Sequence, residues 1–282
     1  MNRTLTIAKR DFENSRRSFM LWGVVGIFLA LVLLLTVVPG LLDSDIPGEF
    51  VITIITPTAS IFVPITAVIA SYLAIAGERE SGQLNILLSL PPSRREVVSG
   101  KFLGRAAVVL GAVVVAFVVA LIPSLVLYDG FPATSYLMTM GLTALLGLAF
   151  VGLAVGLSAM TKTRTRAMAP AVGVVILFGT GIWGGLVTAV QFAMDRGLGI
   201  ELQDNTVTLI QLLSPSQSYT RLFNTLVQPR IVEGGSFAAQ QIPDTSGAPF
   251  YLQDWFVFLL LAAWVVVPVA IGYLRFNGAD LE

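Results

Sequence analysis

Six stretches of this chain, residues 18–42, 51–76, 102–128, 135–160, 167–192 and 255–276, are each apolar for long enough to cross a bilayer; about 20 such residues suffice. No other feature narrows the fold as far. Hydrocarbon offers backbone N–H and C=O groups no partner, so a chain inside it must satisfy them internally, as helices or a closed barrel. Runs of this length predict helices, and the chain reads as an all-α membrane protein with six transmembrane helices. Only 12% of its residues are charged, against about 25% in soluble domains. The apolar run after Phe19 is too long for the core of a cleavable signal and reads as the first span. Pro57, Pro64, Pro123, Pro170 and Pro268 fall inside or at the ends of spans and mark expected kinks.

The basic residues orient these spans. Arg3, Lys9, Arg10, Arg16 and Arg17 precede the first, and Arg79, Arg94, Arg95, Lys101 and Arg105 sit in or beside the loop after the second. Lys162, Arg164 and Arg166 follow the fourth, and Arg275 ends the sixth, so one side holds fourteen of the 17 basic residues. The other side has Arg196, Arg221 and Arg230, all in one long loop, while its short loops carry Asp43, Asp45, Glu49 and Asp129. Lys and Arg accumulate on the cytoplasmic side, which predicts an N-in/C-in, multi-pass protein of the cell membrane.

Side chains missing from the chain exclude several functions. With no cysteine and no histidine there is neither a disulfide framework nor a thiolate or imidazole metal site, and a Ser/His catalytic pair is impossible. The spans hold almost no ionisable groups, which argues against a proton-coupled carrier and an intramembrane protease. Zero formal net charge gives no bulk attraction to nucleic acid. Among the seven methionines only Met138-x-Met140 form a pair, and two residues apart on a helix they point to different faces, as packing residues do. The chain reads as a non-enzyme without a cofactor or metal of its own.

Outside the spans, residues 1–17 predict a short interfacial helix. Leu5, Ala8, Phe12 and Ser15 share a face, and Lys9, Arg10, Asp11, Glu13, Arg16 and Arg17 mostly take the others. It is read as lying on the cytoplasmic surface; a plain positive anchor for the first span is the alternative. The loop 77–101 is charged at both ends and apolar between. Gly82 can start a short helix, Leu84, Leu87 and Leu88 fall at i, i+3 and i+4, and Pro91-Pro92 stops it. Ser93 to Glu96 has capping-box spacing, so a new helix is expected to run through Lys101 into the third span. This helix either orients its neighbours at the interface or couples them to a cytoplasmic motor.

The external loop 193–254 is expected to hold two short helices within 207–227, dipping into the outer leaflet, and an irregular segment after Pro229. Gly152-x-x-x-Gly156 and Gly181-x-x-x-Gly185 have the spacing of close helix contacts, within one bundle or between subunits. Thr53, Thr56, Thr66, Ser71 and Tyr72 give the second span a polar stripe. Phe178 and Trp183 on the fifth read as packing or lipid contacts ahead of contacts to an amphiphilic substrate.

The run Glu78-Arg79-Glu80-Ser81-Gly82-Gln83-Leu84-x-x-Leu87-Leu88-x-x-Pro91-x-Ser93-Arg94-x-Glu96-x-x-x-Gly100-Lys101 resembles the first cytoplasmic loop of the ABC-2 permeases, the membrane subunits of type V ABC transporters. Gln83 stands where that family usually has threonine. Ile7-Ala8-Lys9-Arg10-Asp11-Phe12 is similar to the entry helix of the permease of the nitrous-oxide-reductase maturation (Nos) system. Leu212-Leu213-Ser214-Pro215-x-x-x-Tyr219-x-Arg221-Leu222-x-Asn224 is similar to a stretch before that permease's last span. The likeness extends over nearly the whole chain, with 18–282 as the six-helix transmembrane domain.

The resemblance implies an exporter permease, a homodimer or a pair of related permeases, bound to two ATPase subunits. Residues 83–90 would be the coupling helix, with Gly82 at its start. Leu84, Leu87 and Leu88 would fill a groove on the ATPase, and Glu78, Glu80, Arg94 and Arg95 would contact its rim. ATP and Mg²⁺ would be bound by that partner, since the chain has no Gly-x-x-x-x-Gly-Lys-[Ser/Thr] loop. The alternative is a membrane scaffold that relays ATPase-driven motion to an extracytoplasmic partner, as in metal-site maturation, without moving a solute.

Overall fold

In a computed structural model the described residues are 3–15, 17–43, 46–83, 93–200, 202–232, 247 and 249–278. They form a helical bundle. Helix α1 (Arg3–Ser15) is followed by α2 (Phe19–Leu42), α3 (Glu49–Ser71) and a single-turn α4 (Ala76–Glu80). Next come α5 (Arg94–Leu127), α6 (Ala133–Met160), α7 (Arg164–Val174) and α8 (Ile182–Ala193). The chain then makes α9 (Asp204–Leu212), α10 (Pro215–Leu222), a short α11 (Gln228–Val232) and α12 (Asp254–Asn277).

Local chemistry sets several helix starts. Ser18 caps α2, accepting from Leu21 N at 3.3 Å. Thr163 caps α7 by accepting from Arg166 N. At α5 the expected capping box is complete: Ser93 N donates to Glu96 Oε2 at 2.7 Å while Glu96 N donates to Ser93 Oγ at 3.3 Å. The helix that follows runs unbroken past Lys101 to Leu127, as its sequence predicts.

Four of the expected spans are matched by single helices and a fifth by α3 with α4, all long and apolar enough to cross a membrane. The stretch 167–192, expected as one continuous span, is not one: Arg164–Gly179 and Ile182–Leu198 meet at 65°. A π-helical turn over Val175–Gly179 and Gly181 at φ 80° produce the break. A π turn shifts the hydrogen-bond register, and only glycine takes that φ without steric cost. Gly179 lies against Pro64 of α3, where an added Cβ would stand 3.2 Å from Pro64 Cβ.

The glycine pairs divide. Gly152 and Gly156 let α12 approach α6 so closely that a Cβ on either would meet the backbone carbonyls of Val265 or Pro268, and Gly272 of α12 faces Gly156 in return. This is packing inside one bundle. Around Gly181 and Gly185 there is nothing within 4 Å of a built Cβ. Met138 and Met140 both pack against the core. At the end opposite α1, Tyr128 donates to Thr36 O at 2.6 Å and Gly48 N to Asp129 O at 2.9 Å, closing α2, α3 and α5 together.

Candidate functional site

Helix α1 is seated on the first turns of α5, and two glycines make room for it. A Cβ on Gly100 would stand 2.8 Å from Ile7 Cβ, and one on Gly104 2.8 Å from Ala8 O and 2.9 Å from Asp11 Oδ2. The seated face is therefore Thr4, Ile7, Ala8 and Asp11. Leu5, expected on that face, is exposed, and Asp11, expected mostly outside it, is buried. What decides the rotation is α5: with two glycines and two cations one turn apart, it offers a carboxylate a better site than it offers a leucine.

Asp11 receives Lys101 Nζ at 3.2 Å on one oxygen and Arg105 Nε at 2.7 Å on the other, with Arg105 Nη2 at 3.1 Å. Lys101, 2% exposed, also donates to Glu78 Oε1 at 2.6 Å. Arg105 Nη1 donates to the Ala70 carbonyl near the end of α3. Two carboxylates thus balance two cations, and their hydrogen bonds offset the desolvation that such burial costs. Neighbouring contacts extend the assembly. Ser158 Oγ of α6 accepts from Ile75 N at 3.1 Å and Ala76 N at 3.0 Å. Glu80 accepts from the Arg164 backbone N–H at the start of α7. Arg94 Nη1 donates to Phe276 O at 2.7 Å and Asn277 O at 2.9 Å, with its guanidinium 5.5 Å from the Phe276 ring centre.

The arrangement is a structural junction. Its charges saturate one another, and it joins α1, α3–α4, α5, α6, α7 and α12 at one end of the bundle. Of the residues picked out in the sequence, Glu78, Glu80 and Arg94 belong to it. Gly82 turns the chain at φ 73° after α4, and Arg95 is exposed. Leu84, Leu87 and Leu88 lie outside the described residues. Asp11, Lys101 and Arg105 were named in the sequence only within motifs or as charges that orient the spans, not as site residues, and Ser158 was not singled out. The readable trace was the pairing of Gly100-Lys101 with Gly104-Arg105 at i, i+4, opposite a helix of mixed charge that carries Asp11.

The other half of the bundle is held by a wedge from the long loop. Tyr219 of α10 is fully buried, its hydroxyl 3.1 Å from Thr143 Oγ1 of α6. Trp183 Nε1 donates to Ile210 O at 2.9 Å and Trp264 Nε1 to Leu213 O at 3.0 Å, with the Phe178 ring between the two indoles. Phe178 and Trp183 are thus packing residues. The expected polar stripe on α3 does not form one face: Thr56 and Thr66 bond their own helix backbone and are buried, while Thr53 is exposed. Among the described residues no group of three or more carboxylates could hold a metal ion.

Over residues 5–281 the chain matches the profile of a family described as "ABC-2 family transporter protein". It is 28% identical over 232 residues to the "Probable ABC transporter permease protein NosY" of Pseudomonas aeruginosa, covering 79% of this chain and 78% of that protein. To the protein of the same name from Stutzerimonas stutzeri it is 26% identical over 288 aligned positions, covering 98% of this chain and 99% of that protein.

Proposed function

The chain belongs to the ABC-2 transporter family, a multi-pass permease of the cell membrane, and on that premise we propose that it is the membrane subunit of an ATP-driven exporter, moved by a separate pair of ATPase subunits that bind ATP and Mg²⁺. In this reading both termini face the cytoplasm, two copies form the pathway, and residues 83–90 are the coupling helix, with Leu84, Leu87 and Leu88 in the ATPase groove. The exporter direction rests on the family alone. The observation that carries the coupling is the Glu78–Lys101 ion pair at 2.6 Å. It joins the two flanks of the 83–92 segment, so a push on that segment is delivered to α3 and α5 together instead of being absorbed in a slack loop. Arg105 on the Ala70 carbonyl and Ser158 on the Ile75 and Ala76 amides extend the same connection to α3 and α6.

A second reading, a scaffold relaying this motion to an extracytoplasmic partner, draws support from Tyr219. Through it the long outer loop is anchored beside Thr143, within reach of any movement of α6.

The test is co-purification from the native membrane. The wild-type chain is expected to bring down a stoichiometric ABC ATPase. Leu87→Asp with Leu88→Asp should lose it while keeping the wild-type elution profile. Lys101→Met with Glu78→Gln, which breaks the ion pair without leaving Glu78 charged, should keep the ATPase but lose its coupled stimulation. An ATPase retained by the double variant would overturn the coupling-helix assignment, and a wild-type chain that brings none down would overturn the proposal as a whole.

A further inference from the structure

A groove of about 470 Å³ opens on the outside of the bundle between α6, α12 and the segment after α10. Met138, Gly141, Leu145 and Leu148 of α6, Leu226 and Phe258 line it. Its surroundings are the lipid-facing surface itself: Leu137, Phe258 and Leu259 are all exposed apolar side chains. Groove and bilayer hydrocarbon are therefore continuous.

The depth of the groove can be read from its neighbours. Trp255, one turn before Phe258 on α12, is half exposed and clusters with Phe250 and Phe256. Exposed aromatic clusters at the end of a span mark the headgroup level. The groove begins one turn below that level, where acyl chains begin.

A cation stands at the upper end. The segment after α9 climbs along α12: Leu213 meets Trp264, and further along Leu226 lines the groove beside Phe258. Arg230, exposed, follows Leu226 by four residues on the same helical run, about 6 Å further toward the headgroups at 1.5 Å per residue. A long apolar slot with a guanidinium above it matches a phospholipid in charge and in polarity.

We propose that this groove is a binding site for an anionic phospholipid, one acyl chain lying along Gly141 and Leu145 and the phosphate paired with Arg230. Native mass spectrometry of the full-length protein, incubated with equal amounts of phosphatidylglycerol and phosphatidylcholine, tests it. Wild type is expected to retain phosphatidylglycerol about fivefold over phosphatidylcholine, the effect of one cation near anionic lipid. Arg230→Gln should bring the two to parity. Gly141→Phe should reduce both, and because nothing lies within 4 Å of a Cβ at Gly141 the ring enters the groove without disturbing the core. Equal retention of the two lipids by wild type, or an unchanged lipid count in Gly141→Phe, overturns the proposal. A Gly141→Phe protein that drops from dimer to monomer at constant lipid count would show that a second copy, not lipid, fills the groove.

Discussion

Glu78 and Lys101 are separated by 23 positions and joined by a 2.6 Å ion pair, and the same ammonium reaches Asp11 of α1 at 3.2 Å. One lysine therefore holds helix α1 and both flanks of the 83–92 segment. A salt bridge at the surface would contribute little, but Lys101 and Asp11 are almost fully buried, and an unmatched charge there is costly.

Lys101→Met removes one cation and leaves Asp11 and Glu78 facing each other. Breaking a buried pair costs about 3–5 kcal/mol, so the variant is expected to melt well below wild type in detergent. Combining it with Glu78→Gln removes the carboxylate left without a cation, while Asp11 keeps Arg105, and should recover much of the loss. Thermal unfolding of the three proteins decides this; a double variant no more stable than Lys101→Met would show that the charge on Glu78 was not what the lysine compensated.

The seat of α1 depends on hydrogen atoms at Gly100 and Gly104. Gly104→Val would press a side chain into Ala8 O and the Asp11 carboxylate, and because those contacts include backbone the helix must lift. The chain has no cysteine, so a single Ala8→Cys substitution reports the event cleanly. In the wild-type background that position, 9% exposed, should label slowly with a maleimide. With Gly104→Val it should label at the rate of an exposed thiol, and equal rates would mean α1 stays seated.

Much of this was open to a reader of the sequence, and the failures have two causes. The spans are legible because hydrocarbon requires long apolar runs. The α5 capping box and the two helices of the long loop are legible because caps and proline act locally. The break at Gly181 was hidden because its apolar flanks satisfy the length criterion whether or not the helix bends; the positive φ that bends it leaves no mark beyond a glycine among many. The charged clamp was hidden for another reason. Asp11 and Lys101 look like surface charges on one side of the membrane, and only the packing of α1 on α5 buries them. Arg94 similarly reads as free for a partner, yet it holds the carbonyls at the end of α12.

The two glycine pairs should respond oppositely to alanine. At Gly156 a methyl would fall 2.3 Å from Pro268 O, so Gly156→Ala must push α6 and α12 apart. A loss of the order of overpacked cores, about 1–3 kcal/mol, is expected. Gly185, inside α8 with nothing within 4 Å, should instead gain the helix preference of alanine, about 0.5–1 kcal/mol. Stability in detergent checks both. A destabilising Gly185→Ala would point to a neighbour outside the single chain and revive the subunit-contact reading for that pair.

Tyr219 offers the sharpest separation of packing from polarity in the half of the bundle away from α1. Its ring fills a fully buried site and its hydroxyl meets Thr143 at 3.1 Å. Tyr219→Phe keeps the ring and strands a threonine hydroxyl that can turn back to its own helix, so a loss of about 1 kcal/mol is expected. Tyr219→Ala empties the site and should cost about 3–5 kcal/mol, as large buried aromatics do. If the outer loop passes motion outward, the alanine variant should keep ATPase binding at the opposite end of the bundle while losing the downstream activity. Trypsin sensitivity at Arg221 and Arg230 would rise in the alanine variant and not in the phenylalanine one. Identical proteolysis of both variants would mean that the loop is held by Trp183 and Trp264 and owes nothing to the wedge.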